Sequence, residues 1–288
     1  MMKPIFPNIV IIGLGLIGGS IALELKKRKL ALQVIGVSRS EENRKEALRL
    51  KAVDQVYSKV GPFISQADLV VIATPVMKII PLLHEMKKHL KKDALVTDVG
   101  SVKENIVREA SQIKNCHLIG GHPIAGTERS GMKSAELNLF KNKKWILTPL
   151  ASSSKTHLNK ISRLIRALGA QVVFMDPSDH DRIFAAVSHL PNLIAYTLSN
   201  AVLSLQDPKI PKLSGSSLRD MTRVAASPPE MWRDICLTNQ KELLRMIHRF
   251  EGELEKFKRA IEKGEERVLL KMFERGRQML LRSCLQKI

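Results

Sequence analysis

The 288-residue sequence predicts an α/β fold, a parallel sheet covered by helices, followed by an all-helical second part. Three observations lead there. A β-branched run ends in three glycines spaced G-x-G-x-x-G within residues 8–20, short apolar runs alternate with helical patterns up to Asp176-Pro177, and no strand pattern returns beyond Ser178.

Residues 8–20 read Asn-Ile-Val-Ile-Ile-Gly-Leu-Gly-Leu-Ile-Gly-Gly-Ser. Gly13 suits the tight turn from strand to helix, Gly15 has no Cβ to hold a pyrophosphate off the backbone, and Gly18 lets the helix pack closely on the strand. The backbone of Gly13, Leu14, Gly15, Leu16, Ile17 and Gly18 then faces a dinucleotide phosphate with the N–H groups of a helix start. An amphipathic helix over 20–29 and a second apolar strand over 32–37 supply the context that gives the motif its meaning, a Rossmann-type domain.

The end of the second strand selects the dinucleotide. Where an acidic residue would bind both ribose hydroxyls, the chain has Ser38-Arg39-Ser40, a hydroxyl beside a guanidinium. This favours NADP, with NAD possible. The alternative is that Ser40 caps a helix starting at Glu41 and Arg39 is a solvated charge.

Composition narrows the class. Apolar residues make up 44% of the chain, and the net charge of +19 raises nucleic acid as a partner. The basic residues fall instead in short clusters at expected helix ends and loops, such as Lys26-Lys27-Arg28-Lys29 and Lys141-Asn142-Lys143-Lys144, without interleaved aromatics. They read as solvated faces that attract anionic ligands, so no nucleic-acid partner is expected. Cys116, Cys236 and Cys284 lack metal-ligand spacing and fit free thiols in the cytoplasm, with no metal expected. Lys3 before an apolar stretch imitates a signal peptide, but that stretch is the glycine-motif strand, and no run approaches a membrane span.

In order, 41–51 reads as helix, 53–57 and 69–73 as strands, 76–90 as helix and 94–98 as strand. Ligands of such sheets sit outside the carboxyl ends of the strands, which places Thr74, Pro75, Gly100 and Ser101 there. Residues 117–121 form another strand, 121–128 a loop, and 145–150 and 171–175 two strands around a helix at 155–168. Ser101-Val-Lys-Glu104 has the form of a capping box. Residues 179–205 read as one long apolar helix buried on several sides. Ser227-Pro228-Pro229-Glu230 starts another helix, with Ser227 as cap. Leu243, Ile247, Phe250, Leu254, Phe257 and Ile261 then recur at a 3.5-residue period, the mark of a helix seam, which Gly264 ends before a last helix over 265–285. The expected division is 1–177 for the dinucleotide domain and 178–288 for a helical domain whose apolar faces call for a second copy of the chain.

Four stretches outside the glycine motif concentrate reactive groups: Asp98-Val-Gly-Ser101-Val-Lys, Gly121-His-Pro-Ile-Ala-Gly-Thr-Glu128, Ser188-His-Leu-Pro-Asn192 and Arg219-Asp220-Met-Thr-Arg223. In this order behind a dinucleotide motif, over about residues 9–239, they resemble the prephenate and arogenate dehydrogenases of tyrosine biosynthesis, the loop G-G-H-P-I-A-G-T-E most specifically. The resemblance implies a Rossmann domain followed by a helical dimerisation domain. It implies hydride transfer from the ring C4 hydroxyl of prephenate or arogenate to the nicotinamide, with loss of the ring carboxylate as CO2.

The same resemblance assigns roles. His122 becomes the base for the hydroxyl proton, and Ser101 a hydrogen-bond partner of that hydroxyl or of His122. Arg223 becomes the substrate-carboxylate fork, with Asp220 and Glu128 tying it down or shaping the pocket alongside Thr127. His189 is either a substrate contact or a structural histidine. Many relatives read S-H-L-P-H, and the departure at Asn192, with Ser38-Arg39, tilts the resemblance towards NADP-using arogenate enzymes. No additional regulatory domain is expected. Two other readings stand beside it. A β-hydroxyacid dehydrogenase would carry a lysine on the first long helix of the second part, and 183–205 has none. A non-catalytic NADP sensor would have no reason to keep His122, Ser101 and Arg223 in compatible places.

Overall fold

The computed structural model describes residues 4–114, 116–127 and 129–285, with side chains described as far as 279, so Glu128 and the Cys284 thiol lie outside the described residues. The sheet-forming part runs β1 (Asn8–Ile12), α1 (Leu16–Lys27), β2 (Gln33–Val37), α2 (Glu41–Arg49), β3 (Gln55–Tyr57), β4 (Leu69–Ile72), α3 (Val76–Met86), β5 (Leu95–Asp98), α4 (Glu104–Ser111), β6 (His117–Pro123), β7 (Lys144–Thr148), α5 (Lys155–Ala167) and β8 (Gln171–Phe174). Helices follow: α6 (Pro177–Phe184), a π turn at Ala185–His189, α7 (Leu190–Leu203), α8 (Ile210–Leu213), α9 (Ser216–Thr222), a 3-10 turn at Arg223–Ala226, α10 (Pro229–Thr238), α11 (Gln240–Glu262) and α12 (Glu266–Leu285).

One sheet has the order β3-β2-β1-β4-β5-β6-β7-β8. The order reverses direction between β1 and β4, the position at which open α/β sheets leave a crevice. Successive residues of β1 serve opposite cores, Ile9 and Ile11 on one face, Val10 and Ile12 on the other. Covering both faces is what makes these strands read as continuous apolar runs.

Several elements depart from the sequence reading. The helix after the glycine motif begins at Leu16, four residues before the expected 20, because Gly15 caps it and Gly18 and Gly19 lie in its first turn. The sheet is not wholly parallel: β7 runs antiparallel to β6. An apolar run carries no direction, and the described residues of the 124–143 connection hold only a 3-10 turn at Met132–Ser134, not the crossover helix a parallel neighbour normally uses. The expected 121–128 loop is strand up to Pro123, paired with Trp145. The 179–205 helix is interrupted by the π turn, where Pro191 lacks the N–H that would bond the Val187 carbonyl. That region is also less buried than expected, since only Leu190 and Ala195 of α7 are buried. Ser227 makes no cap: α10 starts one residue later, with Pro228 in the cap position, and the Tyr196 hydroxyl donates to the Ser227 carbonyl at 2.7 Å.

The chain forms two compact units, Met1–Gln240 and Lys241–Ile288. Helices α6 to α10 thus share the first with the sheet, and Ile235 of α10 enters the core above α3. In the second unit, Gly264 takes a left-handed φ of +63° between α11 and α12, and Phe257 packs on Phe273 with ring centroids 5.3 Å apart. Of the seam residues, Phe250, Leu254 and Ile261 are exposed. Among the described residues no helix is long and apolar enough to cross a membrane, and no group of His, Cys, Asp or Glu side chains could hold a metal ion.

Candidate active site

A cleft of about 490 Å³ opens at the carboxyl ends of β1 to β4. Gly13, Leu14 and Gly15 line it after β1, Ser38 and Arg39 after β2, and Thr74 and Pro75 after β4. The three motif glycines differ in what they meet. Gly13 has a φ of +104°, and a Cβ there would collide with the Ala73 carbonyl; at Gly18 it would strike the Gly13 carbonyl at 2.0 Å. At Gly15 it would meet nothing within 4 Å, so the backbone there is open to a phosphate. The buried Thr74 hydroxyl has no hydrogen-bond partner among the described residues. An open helix start and an unpaired hydroxyl in one cleft fit a dinucleotide. Leu16, Ile17 and Gly18 lie within α1, behind the residues that line the cleft.

Ser40 does cap α2, accepting from the Asn43 N–H at 3.2 Å. That leaves Ser38 and Arg39 free to face the cleft, and one Arg44 guanidinium nitrogen fixes their backbone by donating to both carbonyls, at 2.7 and 2.8 Å. Lys59 and Lys78 line the same cleft, and neither they nor Arg44 were read from the sequence.

The second half of the site is a chain of polar contacts. His122, on β6, places Nδ1 2.9 Å from Nε2 of His180, on α6. His180 Nδ1 lies 2.7 Å from Asp181 Oδ1. The Asp181 carboxylate also accepts from the backbone N–H groups of Lys103 and Glu104, at 2.7 and 2.9 Å. It therefore caps α4 from 78 residues away, and Ser101 does not: the capping box is absent because a carboxylate already occupies both orphan donors. Ser101 stands in the bend before α4, half-buried.

This arrangement fixes proton positions. A carboxylate only accepts, so His180 carries its proton on Nδ1 and presents a lone pair at Nε2. His122 must then donate from Nδ1, which leaves Nε2 as its basic nitrogen. Desolvation, aided by His180, Lys103 and His189, holds the His122 pKa well below the usual histidine value, so the imidazole is neutral near pH 7. A neutral imidazole with a fixed tautomer can take a proton from an alcohol.

His189 is buried, and Asn239 bridges it to Asp181 by donating to His189 Nδ1 at 3.0 Å and to the Asp181 carbonyl at 2.8 Å. Burial pushes its pKa down to about 4. Asn192 donates to the Ser188 carbonyl at 2.9 Å. Thr127 is exposed and accepts from the Arg129 N–H at 3.2 Å. Asp220 and Arg223, on α9 and the turn after it, are exposed and form no ion pair with each other among the described residues, and the structure does not join them to the His122 network. Sequence reading missed His180, Asp181 and Asn239, and gave no role to Lys103, which ends the singled-out 98–103 stretch. The available signal was His180-Asp181 itself, an imidazole and carboxylate within the first turns of a capped helix.

A glycine-lined cleft at a sheet's carboxyl edge, with a neutral imidazole of fixed tautomer, fits a dinucleotide-dependent dehydrogenase. The prephenate dehydrogenase nucleotide-binding domain model matches residues 21–174 and the prephenate dehydrogenase dimerization domain model residues 176–275. The chain belongs to the prephenate dehydrogenase family, whose prephenate and arogenate dehydrogenases serve tyrosine biosynthesis. It is 33% identical over 278 residues to the prephenate dehydrogenase of Bacillus subtilis, covering 95% of this chain and 75% of that relative. The crystal structure of the A. aeolicus prephenate dehydrogenase with hydroxyphenyl propionate and NAD+ superposes with a TM-score of 0.88 at 32% identity, covering 97% and 98% of the two chains. The Synechocystis arogenate dehydrogenase gives 0.80, also at 32% identity, covering 94% and 98%.

Proposed function

We propose that this chain oxidises the C4 hydroxyl of arogenate, or of prephenate, with His122 Nε2 as the base and with NADP as the preferred dinucleotide. The observation that carries the reading is the ordered His122, His180 and Asp181 chain, which sets the lone pair at the only His122 nitrogen not already committed. The hydroxyl proton passes to His122, and the resulting charge is shared through His180 towards the Asp181 carboxylate. Ser101 hydrogen-bonds the same hydroxyl and orients it. Bound nicotinamide supplies the hydride acceptor. The bond from the ring to its carboxylate breaks, its electron pair enters the ring, and CO2 leaves.

Arg223, exposed and free of ion-pair partners among the described residues, holds a substrate carboxylate, with Thr127, Glu128, His189 and Asp220 around the same substrate. Asn192 keeps its amide on the Ser188 carbonyl and offers no cation to a keto-acid side chain, which favours arogenate. Ser38 and Arg39, with Lys59 in the same cleft, favour a 2′-phosphate. Residues 1–177 serve the dinucleotide and 178–288 the substrate and a second copy of the chain. The exposed Phe250, Leu254, Ile261 and Phe273 support that homodimer. The test is an assay of both substrates against both dinucleotides, with light scattering for the dimer. Equal rates for all pairs would remove the preferences, and a micromolar monomer would remove the dimer.

A further inference from the structure

Lys103 is fully buried, beneath the strand that carries His122. Its ammonium pairs with the equally buried Asp98 carboxylate and donates to the Gly121 carbonyl at 2.9 Å. Asp98 in turn accepts from the Gly121 N–H at 3.2 Å and from the Gly100 N–H at 2.8 Å. The two side chains therefore hold both backbone groups of the residue before His122, and the N–H of the residue before Ser101. They act where regular pairing stops, since the register between β5 and β6 ends at Thr97 and Ile119.

The surroundings are shaped for this pair. A Cβ at Gly120 would meet Lys103 Cδ at 3.3 Å and the Thr148 hydroxyl at 2.4 Å, and one at Gly121 would meet the Asp98 carbonyl at 2.5 Å. The Lys103 backbone N–H rests on Asp181, so one residue joins the clamp on β6 to the carboxylate that orders the His180 proton. Burying an ion pair is a poor route to stability, because desolvation cancels much of the attraction. What such a pair supplies is a fixed geometry.

We propose that Lys103 and Asp98 are positioning residues for the dehydrogenase reaction, clamping Gly121 and Gly100 so that His122 and Ser101 meet the substrate hydroxyl in register. This rests on the assignment of His122 and Ser101 above. The clamp also acts electrostatically. His122 faces His180 of α6, His189 of the π turn and Lys103 before α4, and all three oppose its protonation, Lys103 as the charged group among them, while Asp98 and Asp181 act on His180 in the opposite sense. Removing the lysine charge should raise the His122 pKa.

The experiment compares full-length Lys103→Met, Lys103→Gln, the neutral pair Lys103→Met with Asp98→Asn, and His122→Asn. Turnover, dinucleotide binding, thermal unfolding and pH profile are read for each. Both single lysine variants should bind the dinucleotide within about threefold of wild type and lose about 100-fold in kcat, the scale of an ångström of misplacement. In Lys103→Met the acid limb of kcat/KM should move to higher pH, and the neutral pair should return it without restoring kcat. A lysine variant that keeps kcat within threefold and leaves the limb unmoved overturns the proposal. So does loss of cooperative unfolding and dinucleotide binding in both lysine variants, because the pair then holds the fold and not the site. If His122→Asn itself keeps near-normal turnover, the base assignment fails, a result separable from failure of the clamp alone.

Discussion

His122 Nδ1 and His180 Nε2 stand 2.9 Å apart, and the Asp181 carboxylate behind His180 permits a single ordering of their protons. The free lone pair of His122 on β6 is thus set by a residue of α6, on the far side of the sheet-to-helix boundary.

Asp181→Asn tests that ordering. The amide keeps one acceptor and gains a donor, so it cannot both receive the His180 proton and cap α4 at Lys103 and Glu104. Turnover should fall by roughly 10²–10⁴-fold, the range for a misordered general base, while the weakened cap costs about 1 kcal/mol. Dinucleotide affinity should change little. Measured turnover within a few-fold of wild type would detach Asp181 from the mechanism.

Buried histidines also tie stability to pH. His189 falls from the usual 6.5 to about 4 in the fold, so its contribution is complete above pH 6.5 and is lost as pH drops towards 4, on the order of 3 kcal/mol in all. His122 and His180 are lowered too and act in the same sense. Denaturant unfolding at pH 7, 5.5 and 4.5 should show the decline, and His189→Gln should flatten part of it. A stability that holds level down to pH 4.5 would contradict this.

Arg223→Ala should chiefly raise the Michaelis constant for the organic substrate, because the contact it removes exists in the ground state as well as the transition state. An unchanged Michaelis constant would mean that another cation holds the carboxylate.

The dinucleotide cleft was legible because its determinants are local: Gly13, Gly15 and Gly18 act within one turn of chain. His122 was singled out by resemblance, but the partners that order its imidazole were not, since Asp181 reaches Lys103 across 78 residues and no pattern of period two or four encodes that distance. The same long reach defeated the reading of Ser101 as a cap. Strand direction failed at β7 because an apolar run is the same forwards and backwards, and only the missing crossover helix in 124–143 tells which way it goes. In the helical part, the π turn follows from Pro191, whose missing N–H was visible in the sequence but whose consequence depended on the helix continuing past it.

Dinucleotide preference is the most local expectation of all. Ser38 is nearly buried at the end of β2, Arg39 is exposed beside it, and Arg44 pins the carbonyls of both, so the backbone presenting the two side chains is held from behind. No carboxylate stands at the end of β2 to bind a ribose diol, and the carboxylate that does line the cleft, Glu85, comes from α3. A hydrogen bond to a charged phosphate contributes on the order of 1.5–3 kcal/mol, or roughly 10- to 150-fold in affinity. Ser38→Asp should therefore turn the preference towards NAD, by adding a chelating carboxylate that also repels the phosphate. Arg39→Ala should only reduce it, because Lys59 remains in the cleft, and Arg44→Ala should loosen both contacts by releasing the backbone. The measurement is the ratio of kcat/KM for the two dinucleotides at fixed ionic strength, since salt screens the phosphate contact. A wild-type ratio that already favours NAD would leave Ser38 and Arg39 as the flank of a capped helix and nothing more.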